Sequence, residues 1–315
     1  MHERVVVERF GGPPMGECTP CGAAEIIPHR SRPRTGYDRG LHDNTPPRST
    51  LSMPRFRIAV ATAPFRLPLK QAISTAAQIG AEGIQFDLAR EVTATEFGVT
   101  ALKQLVHYVE ERNLKVATAT YSLTRPLYDF EAIDVRVHAL TEAMQLASRL
   151  KLRQLTIRVG RIPDEVTSAE HVRMVEVLRD LAGLGNRIGV VPCLTPSEDA
   201  SQTLIDVCQS VTDGLLGIDF DPAGTVMSRR DPVTMLRELH QHVQHIQFRD
   251  GRQDVDGVGV EVPLGRGQVK WDETLALLDE MRFSLWGTVR RTTGDDRVGD
   301  CQKAIQYVRR VAQGL

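Results

Sequence analysis

Residues 215–249, LLGIDFDPAGTVMSRRDPVTMLRELHQHVQHIQFR, contain the repeat unit that decides the fold. The apolar run Leu215–Asp221 predicts a strand, the amphipathic stretch Pro232–His240 a helix, and Val243–Arg249 a second strand. Two strands that are joined through a helix run parallel in one sheet, and the helices cover the faces of that sheet. The unit therefore predicts an α/β protein with a parallel sheet.

The same alternation continues from Arg57 to Ala312. It predicts eight strands, at Arg57–Thr62, Gly83–Leu88, Lys115–Thr120, Gln154–Val159, Ile188–Leu194, Leu215–Asp221, Val243–Arg249 and Ser284–Arg290. Eight helical stretches accompany them, at Leu67–Ile79, Ala94–Arg112, Phe130–Leu150, Ser168–Leu184, Ser197–Gln209, Pro232–His240, Trp271–Met281 and Arg297–Ala312. Eight repeats predict a closed, eight-fold parallel (β/α)8 TIM barrel rather than an open sheet. No GxGxxG or Walker A motif follows the first strand, which also disfavours a nucleotide-binding sheet.

Residues 1–52 differ in composition from the rest of the chain. They contain seven of its 17 prolines and no long apolar period, so they are not expected to form a packed core. We predict a disordered tail, or a translation start at Met53, followed by a barrel over residues 53–315. Cys18 and Cys21 form a CxxC in the tail, but no second cysteine pair at metal spacing supports a zinc or redox role.

The composition is that of an ordinary globular protein. The 39 basic and 40 acidic side chains give a net charge of −1, which disfavours a nucleic-acid coat or a polybasic membrane binder. No apolar stretch approaches the roughly 18 residues that a membrane span needs, and MHERVVVERFGG does not resemble a secretory signal. Five cysteines are an odd number for a disulfide framework, so we expect a cytoplasmic protein.

Polar residues mark the ends of several predicted strands. In a barrel the site lies at the carboxyl-terminal ends of the strands, where side chains alternate between the axis and the helix layer. Placing apolar residues outward leaves a polar inward set: Gln85, Asp87, Thr156, Arg158, Asp219, Asp221, His245, Gln247, Arg249, Thr288 and Arg290. Asp and Arg side chains can simply pair with one another in a barrel, but polar ends on many strands favour a ligand pocket.

Three motifs give the chain a resemblance to a known superfamily. They are Gly217–Gly224 (GIDFDPAG), His245–Gly251 (HIQFRDG) and Pro263–Trp271 (PLGRGQVKW). Their order and spacing resemble the xylose-isomerase-like TIM barrels, which include sugar phosphate isomerases and epimerases. The resemblance spans the whole predicted barrel and implies an isomerase or epimerase that acts on a sugar.

The resemblance also implies a metal site that this sequence does not complete. Family enzymes hold one divalent metal with Glu, Asp, His and Glu from strands five to eight, and the two Glu transfer the proton. At the matching positions this chain has Pro192, Asp221, Gln247 and Arg290, so only Asp221 is retained. The neighbouring Cys193 is expected to be an apolar filler rather than a thiolate.

Two functional hypotheses follow. The first is a metal-independent or inactive relative, without a cofactor, that binds a small anionic or polyhydroxyl ligand at the barrel mouth. Its candidate ligand-binding residues are Asp87, Arg158, Asp219, Asp221, Gln247, Arg249 and Arg290. The second is an active sugar isomerase or epimerase with a rearranged site for Mn, Mg, Co or Zn. A nucleic-acid substrate is disfavoured by the low aromatic content, and a homo-oligomer is compatible with either hypothesis.

The segment after the seventh predicted strand partly resembles a calcium-binding loop. Asp254 and Asp256 lie among glycines in the segment Asp250–Pro263, but the spacing and closing Glu of an EF-hand are missing. We predict a mobile hairpin after the seventh strand.

Overall fold

The computed structural model of the protein describes residues 56–254 and 258–314. The predicted tail and the alternative start at Met53 therefore lie outside the described residues. Ten strands are described: β1 Arg57–Ala61, β2 Gly83–Asp87, β3 Lys115–Ser122, β4 Gln154–Arg158, β5 Val191–Leu194, β6 Gly217–Phe220, β7 Val243–Phe248, β8 Asp250–Gln253, β9 Gly259–Val262 and β10 Trp286–Val289. Nine α-helices accompany them in the same part of the chain: α1 Leu69–Gln78, α2 Val99–Glu110, α3 Ile133–Arg149, α4 Ala169–Ile188, α5 Ser201–Ser210, α6 Pro222–Met227, α7 Pro232–Leu239, α8 Trp271–Glu280 and α9 Arg297–Ala312.

Eight of these strands form a closed parallel barrel. Their order around the barrel is β1-β10-β7-β6-β5-β4-β3-β2. Ala59 in β1 is paired with Gly83 in β2 on one side and with Thr288 in β10 on the other, so the first and last barrel strands close the sheet. The predicted (β/α)8 fold is confirmed.

The hydrophobic core lies between the barrel and its helices. The residues placed outward in the sequence are buried there, namely Ile84, Phe86, Ile157, Val159, Ile218, Phe220, Ile246 and Phe248. Trp271, at the start of α8, is 1% exposed and packs against the ring of Phe248 at 5.8 Å. Among the described residues, no helix has the length and apolar character that crossing a membrane requires.

The fourth helix is longer than predicted. The sequence predicted an end at Leu184, immediately before Gly185, whereas α4 continues to Ile188 and ends at Gly189, whose φ is 75°. Gly185 instead permits close packing of the backbone, because a Cβ at this position would lie 2.2 Å from the carbonyl oxygen of Val190. The fifth strand consequently starts at Val191 rather than at Ile188.

Two elements around the sixth and seventh strands complete the mouth. The short helix α6 was not predicted, although Asp221-Pro222 is a good helix start: the Asp221 carboxylate accepts a hydrogen bond from the Gly224 amide at 3.1 Å. The predicted hairpin is confirmed, because β8 and β9 pair antiparallel with Gly251 opposite Glu261. The turn of the hairpin, residues 255–257, which includes Asp256, lies outside the described residues, and the predicted mobility stays a prediction.

Candidate functional site

The parallel barrel brings the carboxyl ends of its strands to one mouth. Asp87 ends β2, Arg158 ends β4, Asp221 follows β6, Arg249 follows β7 and Arg290 follows β10. Five of the seven predicted site residues therefore lie at this end. Asp219 and Gln247 lie one inward position deeper, within β6 and β7.

Asp219 is the centre of a hydrogen-bond network inside the barrel. Its carboxylate accepts hydrogen bonds from the Thr195 hydroxyl and the Gln247 amide, both at 2.6 Å, and lies 2.6 Å from His245 Nδ1. His245 Nε2 lies 2.8 Å from the Thr288 hydroxyl. Burial by itself raises the pKa of Asp219, but attraction to His245 and these hydrogen bonds outweigh it and lower the pKa. The Asp219 carboxylate is thus held by hydrogen bonds inside the barrel.

Asp221 is neutralised by two arginines. Arg249 Nη1 donates to Asp221 Oδ2 at 2.5 Å, and Arg158 Nη2 lies 3.6 Å from the same oxygen. Asp221 is 2% exposed, whereas the Arg158 side chain is 46% exposed, so Arg158 reaches the pair from solvent. The carboxylate of Asp221, the one retained metal-ligand residue, therefore forms ion pairs with two arginines.

Glu261, in the hairpin strand β9, is a site residue that the sequence analysis missed. Its carboxylate lies 3.4 Å from Arg249 Nε and 3.9 Å from Arg291 Nη1, and accepts a hydrogen bond from the Thr292 amide at 3.1 Å. Burial raises its pKa, but Arg249 and the hydrogen bonds from Thr292 reverse the direction, and the pKa is lowered. The alternation Val260-Glu261-Val262 was the signal in the sequence for a half-buried strand with a polar inner face.

Arg290 has no such partner. Its side chain makes no hydrogen bond or ion pair with any residue of the described chain, and its Nε is fully buried. Burial lowers the pKa of its guanidinium, and repulsion from Arg249 and Arg158 opposes the weaker attraction of Asp221 and Asp219. Within residues 56–254 and 258–314, Arg290 therefore does not form the structural ion pair that the sequence left open as an alternative.

A cavity of about 260 Å³ lies beside Arg290 at the same end of the barrel. It is lined by Asp87 and by Glu91, a second residue that was missed because it lies in the turn after β2. The Glu91 carboxylate accepts hydrogen bonds from the Thr62 hydroxyl at 3.0 Å and from the Asp87 amide at 2.9 Å. Burial raises the pKa of Glu91 to about 7, and burial also raises the pKa of Asp87. At neutral pH this wall of the cavity therefore carries less negative charge than two fully ionised carboxylates would.

The residues at the family's metal position do not fit a divalent cation. Pro192 offers no side-chain donor, Arg290 repels a cation, and the Gln247 amide nitrogen is directed to Asp219. Residues 56–254 and 258–314 contain no group of three or more His, Cys, Asp or Glu side chains that could hold a metal. Cys193 is fully buried, and burial raises the pKa of its thiol, which disfavours a thiolate.

Comparison with known proteins shows which family the chain belongs to. The family model for the xylose isomerase-like TIM barrel matches residues 73–311, most of the described barrel. The chain belongs to this family. The resemblance found in the three sequence motifs is therefore confirmed, and the fold is that of the sugar isomerases and epimerases. No curated protein matches the chain.

Solved structures of other family members share the fold at low sequence identity. A xylose isomerase domain protein from Planctomyces limnophilus has a TM-score of 0.72 and 20% identity, over 81% of this chain and 97% of that one. A family member from Mycobacterium smegmatis, solved with magnesium, has a TM-score of 0.67 and 15% identity over 82% and 97%. D-psicose 3-epimerase from Clostridium cellulolyticum H10, solved with D-tagatose, has a TM-score of 0.64 and 12% identity over 82% and 99%.

Proposed function

We propose that this family member binds a small anionic or polyhydroxyl ligand at the carboxyl-terminal mouth of the barrel without a divalent metal. It is then a metal-independent or catalytically inactive relative of the sugar isomerases and epimerases. The observation that carries the proposal is the half-buried Arg290, which forms no ion pair with the described residues and whose Nε is buried without a hydrogen-bond partner.

The charges around Arg290 support an anion as its partner. Four arginines end or directly follow the strands β4, β7 and β10. Of these, Arg158 and Arg249 contact Asp221, Arg249 also contacts Glu261, and Arg291 contacts Glu261 and Asp300. These three carboxylates are matched by three guanidiniums. Arg290 forms no ion pair with the described residues, and only longer-range attraction to carboxylates such as Asp87 offsets its charge. Because a buried charge is costly without a partner, an anionic group of a ligand is the natural counterion.

The chemistry of guanidinium favours this assignment over a neutral ligand alone. Its planar fork donates two parallel hydrogen bonds to a carboxylate or phosphate, and it keeps its charge over the physiological pH range. Arg158 and Arg249 lie near enough to repel Arg290, so they add to the positive potential at the mouth. Magnesium, with which the Mycobacterium smegmatis relative was solved, would be repelled by this positive potential.

Binding of simple anions to the wild-type protein and to Arg290→Met tests the proposal. Isothermal titration with inorganic phosphate and with gluconate should show binding to the wild type and at least tenfold weaker binding to Arg290→Met. The melting temperature of Arg290→Met without ligand should be no lower than that of the wild type, because the substitution removes a half-buried charge that has no ion pair among the described residues.

The matched control is Arg153→Gln. Arg153 is exposed and immediately precedes β4, at the opposite end of the barrel, so its loss removes one charge without touching the mouth. This variant should bind both anions as the wild type does. Equal anion binding by Arg290→Met and the wild type would overturn the proposal, and so would a large drop in the melting temperature of Arg290→Met, which would show a structural partner.

A further inference from the structure

Gln85 has the most unusual side chain in the barrel interior. It lies in β2 and is 1% exposed, yet neither its amide nitrogen nor its amide oxygen has a hydrogen-bond partner among the described residues. A buried polar group without a partner costs about 1–3 kcal/mol, so such groups normally meet a ligand or water. An amide with both atoms unpartnered is complementary to a group that both donates and accepts.

Gln247 adds a second unpartnered atom of defined character. Its nitrogen donates to Asp219 Oδ2 at 2.6 Å, which fixes the orientation of the amide. The Gln247 oxygen is therefore an acceptor directed elsewhere, and within the described chain it has no partner. The Asp219 network thus positions Gln247 to accept a hydrogen bond from something else in the barrel.

The strand register places these amides beside Arg290. Gln85 is paired with Ala61 of β1, and Ala61 follows Val60, the partner of Val289 in β10. Arg290, the residue after Val289, therefore lies on the other side of Ala61 from Gln85. Gln247 is paired with Thr288, one inward position deeper than Arg290.

The unpartnered atoms are concentrated in one half of the barrel. Those of Gln85, Gln247 and Arg290 all belong to the four adjacent strands β7, β10, β1 and β2. Two further atoms of this kind are described, on Arg136 in α3 and on Gln154 at the amino-terminal end of β4, both away from the mouth. In the register the residue between Gln85 and Arg290 is Ala61, whose side chain is small.

We infer that Gln85 and Gln247 form a neutral subsite that takes a hydroxyl group of the same ligand whose anionic group binds Arg290. The ligand is then a hydroxylated acid or phosphate ester rather than a bare anion. The inference rests on the proposed function, since Arg290 supplies the anionic end. Neighbouring strands are about 4.8 Å apart, so the two ends are separated by two strand spacings, about 10 Å between backbones, which side chains from both strands shorten.

Two matched pairs of probes separate the subsite from the anion site. Gluconate and hexanoate are both six-carbon carboxylates and differ in their hydroxyl groups, and ribose 5-phosphate and ethyl phosphate differ in the same way. By isothermal titration, the wild type should bind the hydroxylated member of at least one pair tenfold more tightly or better. The pair that shows the preference identifies the anionic group as carboxylate or phosphate.

Gln85→Met should abolish this preference. The variant keeps the length of the side chain and removes both hydrogen-bonding atoms, so the hydroxylated probe should bind within threefold of its plain counterpart. Affinity for the plain anion should stay within twofold of the wild type. The exposed Gln302→Met in α9 is the control and should keep the full preference. Gln85→Asn, which retains a shorter amide, should give an intermediate preference and is decisive where Gln85→Met does not fold.

The outcomes distinguish the two proposals. Binding of all four probes to the wild type without any preference would overturn the neutral subsite and leave the anion site standing. A preference that Gln85→Met and Gln85→Asn retain, with a changed melting temperature, would also overturn the subsite and show that Gln85 is structural. Absence of binding by every probe would overturn the anion site and, with it, this inference.

Discussion

Buried charges at the mouth of this barrel differ in how they are compensated. Asp219 is surrounded by Thr195, His245 and Gln247, and its pKa is lowered although burial acts in the opposite direction. Arg290 is held without a counterion among the described residues, and its pKa is lowered by burial. Removing a partner of a compensated buried charge destabilises the fold, whereas an uncompensated charge is retained at a cost that ligand binding can offset.

Glu91 predicts a pH dependence of stability. Its pKa is about 7 in the folded chain against an ordinary value of 4.5, so between these values the folded state holds a proton that the unfolded state has lost. Stability should therefore fall as pH rises from 4.5 to 7, by on the order of 2 kcal/mol, and should change no further through this group above 7. Glu91→Gln removes this dependence, so the variant should be more stable than the wild type at pH 8 and equal to it near pH 4.

Chemical denaturation across this pH range measures the difference between the two proteins. Subtracting one curve from the other cancels the titration of groups that do not interact with Glu91. The exposed Glu280→Gln should follow the wild type at every pH. A constant difference between Glu91→Gln and the wild type from pH 4 to 8 would contradict the raised pKa.

Among the elements, the hairpin β8–β9 links the resemblance motifs to the site. Asp250, in the HIQFRDG motif, accepts hydrogen bonds from the amides of Gly265, Gly267 and Val269 and from the Trp271 indole. Part of the family signature is therefore structural, because it ties the loop before α8 to the end of β7. On the opposite strand of the hairpin, Glu261 holds Arg249 and Arg291.

Glu261→Gln should destabilise the protein by about 3 kcal/mol, since it leaves two largely buried guanidiniums with less negative charge. The free energy of unfolding from urea denaturation measures the effect, and Glu280→Gln, exposed in α8, should cost less than about 0.5 kcal/mol. A loss as small for Glu261→Gln as for the control would mean that the hairpin does not hold the arginines.

The elements also show what could be predicted from the sequence and what could not. Period-two alternation sufficed for the inward placement of Asp87, Asp221 and Arg290, because each lies at the end of a regular strand. Glu91 and Glu261 lie in a turn and a hairpin, whose positions against the mouth depend on tertiary packing. The predicted end of α4 was wrong because the sequence does not distinguish a glycine that permits close packing, such as Gly185, from a glycine that ends a helix.

At the scale of the whole molecule, the barrel is expected to fold without residues 1–52. The described helices and strands close the sheet and bury its outer face with residues from Phe56 onward. A chain that begins at Met53 should therefore melt within 1–2 °C of the full-length protein, a difference of only a few tenths of a kcal/mol. Differential scanning calorimetry of the two chains tests this, and a loss of several degrees would show that the first residues pack on the barrel.

Anion binding at Arg290 without a divalent cation is tested most directly by one calorimetric titration. Gluconate is titrated into the wild-type protein in EDTA and again in excess Mg²⁺, with Arg290→Met as the comparison. We predict the same dissociation constant within twofold in both buffers, and binding at least tenfold weaker for Arg290→Met. Binding that appears only with Mg²⁺, or that Arg290→Met retains in full, would contradict a metal-independent anion site at the mouth of this barrel.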